Sequence, residues 1–134
     1  MTVNNRTEKS ATKNDARVTR VGRVIRNTSL DELPQFFNVF FGQMSIVGPR
    51  PNLTSQNDHY SKIFDDYPKR MYLKPGITGL AQVSGARGAI DNDIEMKHRI
   101  KYDIFYIRHW SFALDIKIII RTVINIIRGE EKAY

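Results

Sequence analysis

Two stretches rich in proline and glycine divide the chain: Gly48-Pro49-Arg50-Pro51 and Lys74-Pro75-Gly76-Ile77-Thr78-Gly79. Proline drives the residue before it out of the helical region, so 48–51 is irregular whatever flanks it. Pro75-Gly76 is a turn signal. No long helix or strand passes through the middle of such a chain, and regular structure has to come from separate segments on either side. Their apolar residues recur mostly at helical spacing. Val18, Val21, Val24 and Ile25 predict a short helix with Arg17, Arg20 and Arg23 on its other side. A second helix is expected over 32–43, ended by Gly42. Tyr60, Ile63, Phe64, Tyr67, Met71 and Tyr72 predict an amphipathic helix over 54–73, interrupted at Pro68, with its aromatics in the core. Ile94, Met96, Ile100, Ile104, Phe105 and Ile107 predict a helix over 91–109, which also carries Tyr102, Asp103 and Tyr106 and is broken by Trp110-Ser111-Phe112. Ile46-Val47 suffices for a stub of strand, and Leu80 to Val83 reads as another. The expected class is α+β: a mainly helical single domain with a few short strands and Gly/Pro-rich loops that carry the active site.

The 134 residues suffice for one modest domain and its core. Residues 1–16, rich in Asn, Thr and Lys, read as a mobile basic arm, and 17–134 as the folded domain. The last helix, about 114–128, is almost all Ile, Leu and Val apart from a narrow stripe of Lys117, Arg121, Asn125 and Arg128. That pattern fits an interfacial membrane helix and fits a buried core helix equally. No apolar run approaches the roughly 20 residues that cross a bilayer. The start, Met1-Thr2-Val3-Asn4-Asn5, has no apolar signal-peptide core, so the chain is expected to stay in the cytoplasm.

The net charge of +7 is concentrated at the ends. Residues 1–26 hold seven basic side chains against two acids, 27–96 hold six against eight, and 97–134 hold eight against four. Basic ends suit an anionic lipid surface or nucleic acid. The acidic middle and the lack of any reader motif speak against nucleic acid. Without cysteine there is neither a disulfide framework nor a thiolate metal site. His59, His98 and His109 show no zinc spacing.

The stretch Arg26-Asn27-Thr28-Ser29-Leu30-Asp31-Glu32-Leu33-Pro34-Gln35 carries the sharpest chemical signal. Ser29 and Glu32 have capping-box spacing, and Pro34 suits a first helical turn, so a helix begins here with Asp31 or Ser29 as its cap. A carboxylate at a helix N-terminus stays ionised and can attack phosphorus to give an acyl phosphate. Its neighbour can hold Mg2+, which takes oxygen ligands and bridges to substrate phosphates. Arg26 can pair with a phosphate. An ordinary well-capped helix shows the same residues. Two prolines hold the backbone of Arg50 stiffly, which suits bidentate phosphate recognition; an incidental surface arginine fits as well. Around Leu80 to Val83 the flanking glycines permit close backbone approach to an anion, although no P-loop or dinucleotide fingerprint is present.

Four ordered pieces carry a resemblance: Thr28-Ser29-Leu30-Asp31-Glu32-Leu33-Pro34-Gln35, Phe37-Asn38-Val39, Met44-Ser45-Ile46-Val47-Gly48-Pro49-Arg50-Pro51, and Lys74-Pro75-Gly76-Ile77-Thr78-Gly79-Leu80-Ala81-Gln82-Val83. Together, from about Thr12 to Arg128, the chain resembles the bacterial sugar transferases, the single-domain-type polyprenyl-phosphate phosphoglycosyl transferases. The resemblance implies transfer of a sugar-1-phosphate from a UDP-sugar to undecaprenyl phosphate, with release of UMP, at the cytoplasmic face of the bacterial inner membrane. It implies Asp31 as nucleophile, Glu32 as Mg2+ ligand, and Arg26 and Arg50 as phosphate or nucleotide contacts. Pro49, Pro51, Gly76, Gly79 and Gln82 would shape the substrate loops. Where the family often has Asn-Gly-Arg after Gln-Val, this chain has Ser84-Gly85-Ala86-Arg87, one residue longer, with Arg87 as the corresponding phosphate contact. The family also has an upstream re-entrant membrane helix and a short basic segment. This sequence begins near the end of that segment, so the expectation is a truncated chain. The alternative is a non-catalytic membrane-surface or partner-binding fragment of such an enzyme. Sugar, pathway and oligomeric state are not legible.

Overall fold

The structure, a computed structural model, describes residues 19–27, 33–88, 90 and 92–128, with the side chains of residues 23, 26 and 27 excepted. In order these form α1 (Arg20–Asn27), α2 (Leu33–Phe40), β1 (Ser45–Val47), α3 (Thr54–Ile63), a 3-10 helix (Tyr67–Tyr72), β2 (Gly76–Thr78), α4 (Leu80–Val83), α5 (Asp93–Arg108) and α6 (Phe112–Ile127). The class is mainly helical α+β, as the sequence pattern requires. The proposed cap of α2 at 29–31 and the arm at 1–16 lie outside the described residues.

Two expectations about local structure are corrected. Residues 80–83 are one turn of helix, and the second strand is β2, a few residues earlier. The reason is non-local: β2 pairs in parallel with β1, Ser45 facing Gly76 and Val47 facing Thr78. Backbone bonds extend the ladder, from Gly48 N–H to the Thr78 carbonyl (2.9 Å) and from Gly76 N–H to the Pro49 carbonyl (3.0 Å). This pairing needs glycine. A β-carbon on Gly76 would lie 2.1 Å from the Gly48 nitrogen, and one on Gly79 would lie 2.2 Å from the Gly48 oxygen. The close approach that these glycines permit is therefore backbone to backbone. The second correction concerns 54–73, where the α-helix stops at Ile63, ahead of Pro68, and the chain resumes as a 3-10 helix. Tyr60 and Tyr67 are buried as expected, whereas Met71 and Tyr72 are exposed.

α5 organises the packing. Its Met96 and Ile100 meet Tyr60 and Tyr67 in one apolar cluster. Its Tyr106 meets Val47 and Ile118 in a second, with Leu80, Val83 and Leu114 against it. Side-chain caps fix where the last two helices start: the Asn92 carboxamide accepts from Glu95 N–H (2.9 Å) and the Ser111 hydroxyl accepts from Leu114 N–H (3.1 Å). Each such cap is worth about 1 kcal/mol. At the corner between them, Asp115 accepts from Tyr106 O–H (2.6 Å) and Trp110 Nε1–H (3.1 Å). Burial and this carboxylate together push the Tyr106 phenol well above its ordinary pKa.

α6 buries only Ile118 among its residues. Ile116, Ile120, Val123, Ile124 and Ile127 are exposed, and so are Lys117, Arg121 and Arg128 beside them. Of the two readings of this helix, the buried core helix is thereby set aside. Among the described residues no helix is long and apolar enough to cross a membrane.

Candidate active site

β1 delivers the chain straight into Pro49-Arg50-Pro51: the strand ends at Val47, and Pro49, which accepts from Gly76 through its carbonyl, has no N–H with which to continue it. Pro49 is buried, Arg50 half-buried and Pro51 exposed. The three line a cavity of about 230 Å³ whose walls also include Asn52, Asn57, Tyr67 and Arg70. Its polar side is internally ordered: Asn52 Nδ2 donates to the Tyr67 hydroxyl (2.8 Å), which donates to Asn57 Oδ1 (2.6 Å). The Arg70 guanidinium sits 5.0 Å from the centre of the Tyr67 ring.

Behind this wall lies a buried ion pair. Arg70 Nε donates to Asp103 Oδ2 at 2.6 Å, with the two side chains 5% and 2% exposed. The other end of Arg70 donates through Nη2 to the Arg50 carbonyl (2.9 Å). Arg99, also buried, donates to the carbonyls of Ala86 (3.2 Å) and Gly88 (2.6 Å), and more weakly to Asn52 Oδ1 (3.4 Å). Burial, then the charges of Arg50 and Arg70, lower the Arg99 pKa to about 10, so it stays cationic at neutral pH. Burial pushes the Asp103 carboxyl above its ordinary range, against the pull of Arg70 and Arg99. Three guanidinium groups thus share one neighbourhood with the single carboxylate that Arg70 and Arg99 both feel. Arginine side chains in the wall of a cavity favour an anion within it.

The sequence-derived candidates are distributed unevenly over this geometry. Arg50, Pro49 and Pro51 line the cavity. Arg87 is half-buried in the loop that Arg99 holds. Gly76 and Gly79 are buried against Gly48. Gln82 is buried, its Nε2 donating to the Ile77 carbonyl (3.3 Å), and its Oε1 has no partner among the described residues. Asp31, Glu32 and the Arg26 side chain lie outside the described residues. Among the described residues no three His, Asp or Glu side chains come together as a metal site. Sequence reasoning missed Arg70, Arg99, Asn52, Asn57 and the pairing of Asp103. A signal did exist on α5, where Arg99 and Asp103 follow Met96 and Ile100 at spacings that place all four on one helical face.

The sequence profile of the bacterial sugar transferases matches residues 1–129. The chain belongs to the bacterial sugar transferase family. Relatives of this sugar transferase chain include a UDP-glucose:undecaprenyl-phosphate glucose-1-phosphate transferase of Klebsiella pneumoniae, 60% identical over 84% of the chain and 24% of that protein. A protein of the same name from Xanthomonas campestris pv. campestris is 54% identical over 96% of the chain and 26% of that protein. An undecaprenyl-phosphate galactose phosphotransferase of Salmonella typhimurium is 46% identical over 88% of the chain and 23% of that protein. The sugar transferase chain therefore spans about a quarter of the length of these relatives.

Proposed function

We propose that this chain is the catalytic part of an enzyme that moves a sugar-1-phosphate from a UDP-sugar to undecaprenyl phosphate. The observation that carries this reading is the cationic cavity behind Pro49-Arg50-Pro51, set in a chain whose relatives bear the names of such transferases. Asp31 attacks the phosphorus that bears the sugar. The bond from that phosphorus to the bridging oxygen breaks, and UMP leaves with both bonding electrons. The aspartyl phosphosugar is then attacked by an oxygen of undecaprenyl phosphate, which restores the Asp31 carboxylate. One nucleophile serving two substrates in turn gives ping-pong kinetics. Arg50 and Arg87, with Arg26, hold the donor phosphates and offset the charge that builds on the departing UMP. One carboxylate, Glu32, together with substrate phosphate oxygens is a donor set that suits Mg2+. When bound there, the ion supplies further positive charge at the diphosphate.

The test is UMP release from a panel of UDP-sugars with undecaprenyl phosphate and Mg2+. The expected outcome is release with at least one donor and none without acceptor beyond a single turnover. No UMP with any donor overturns the reading.

The exposed apolar face of α6 favours a second, compatible statement: this helix lies on an anionic membrane surface, at the cytoplasmic face of the inner membrane. Each Lys or Arg near such a surface contributes on the order of 1 kcal/mol. Binding to phosphatidylglycerol vesicles is expected to weaken as salt rises, and to fall further in Lys117→Glu/Arg121→Glu. Cosedimentation unchanged by both would count against it. Should vesicle binding persist while UMP release fails, the non-catalytic membrane-surface fragment becomes the better reading.

A further inference from the structure

Two guanidinium groups of this protein serve the interior. Arg70 and Arg99 are 5% and 4% exposed, and a buried cation is costly unless it is paired and hydrogen-bonded. Their partners are unevenly chosen. Arg99 donates to the carbonyls of Ala86 and Gly88, the residues on either side of Arg87. Arg70 donates to the carbonyl of Arg50 itself. Asn52, two residues from Arg50, accepts from Arg99 and donates to Tyr67. The two loops that carry Arg50 and Arg87 are thus fastened to one buried network, anchored on α5 by Asp103 and Arg99.

We propose that Arg70 and Arg99 are positioning residues of the donor site, each fixing the backbone from which one phosphate-contacting arginine projects. The proposal rests on the donor-site reading of Arg50 and Arg87. Ordering a loop at the moment of binding costs affinity, and a loop already fastened in the folded state avoids that cost. Arginine suits the task because its planar fork reaches two carbonyls at once, whereas the lysine ammonium is a point donor on a flexible stem. A merely structural role is the competing account: buried carbonyls need donors, and Arg99 could satisfy them without any effect on the ligand.

The two accounts differ in their coupling to Arg87. The probe is UDP, titrated calorimetrically into the full chain. Arg99→Lys is expected to raise the UDP dissociation constant about tenfold, but less than about twofold when Arg87→Ala is already present, since interacting residues are non-additive. The thermal midpoint is expected to fall equally in both backgrounds. An equal loss of affinity with and without Arg87 overturns the proposal, because Arg99 would then act on the fold alone. If Arg99→Lys does not fold, Asn52→Ala loosens the same network more gently and is read through the same cycle. Unchanged UDP affinity in Arg87→Ala alone is a separate result, which removes the donor-site assignment of Arg87 rather than the clamp on its loop.

Discussion

Asp103→Ala is expected to destabilise the protein by about 3–5 kcal/mol, the cost of stranding a buried charge. Asp103 is 2% exposed and stands 2.6 Å from the Nε of Arg70. Removing it leaves Arg70 without its counter-ion beside Arg99, whose cationic form is already penalised by burial and by its arginine neighbours. Neither guanidinium can turn to solvent without releasing the loop carbonyls it holds. Domains of this size have about 5–15 kcal/mol to lose, so the variant would sit near the edge of folding. Urea denaturation reads the effect as a lower midpoint at unchanged slope. The double variant Arg70→Met/Asp103→Leu is expected to recover part of the loss, because a buried pair replaced by apolar groups of similar volume is often tolerated. A shift below about 1 kcal/mol for Asp103→Ala would mean that the pair behaves as a solvated one.

Asp31→Asn is expected to lower UMP release by at least about a thousandfold, the scale seen when a nucleophile is removed from a site that otherwise still binds substrate. The amide matches the carboxylate in shape but offers no anionic oxygen to phosphorus. UDP affinity should change little, and far less than turnover, because the phosphate contacts are assigned to Arg26, Arg50 and Arg87. Acid-quenched wild-type enzyme incubated with radiolabelled donor and no acceptor should carry label on the protein, and the variant none. Full turnover in Asp31→Asn would remove the covalent mechanism. Equal losses in affinity and turnover would make Asp31 a binding group instead.

How legible this molecule is depends on where each interaction is made. α5 and α6 were readable because their apolar residues recur within the segment and need no knowledge of what they pack against. The position of β2 was hidden. Pro75-Gly76 reads as a turn, yet a parallel partner 31 residues earlier and the backbone contact at Gly48 make Gly76-Ile77-Thr78 the strand. Arg50 stood out because the prolines around it mark a rigid backbone. Arg99 and Asp103 did not, since charged residues on a helix ordinarily face water. Only their register with Met96 and Ile100 betrays them. The Asp31-Glu32 pair, the most chemically suggestive part of the sequence, falls outside the described residues.

The clasp formed by Gly48, Gly76 and Gly79 bears on how this pocket can be re-engineered. Its width is set by atoms that are missing rather than present, and it seats the Pro49 carbonyl on one side and Pro75 on the other. A library meant to retune ligand preference should leave those three positions fixed. Met71 and Leu73 border the same hollow and are 56% and 37% exposed, so side chains there can be exchanged widely while the hinge-line of the pocket keeps its shape.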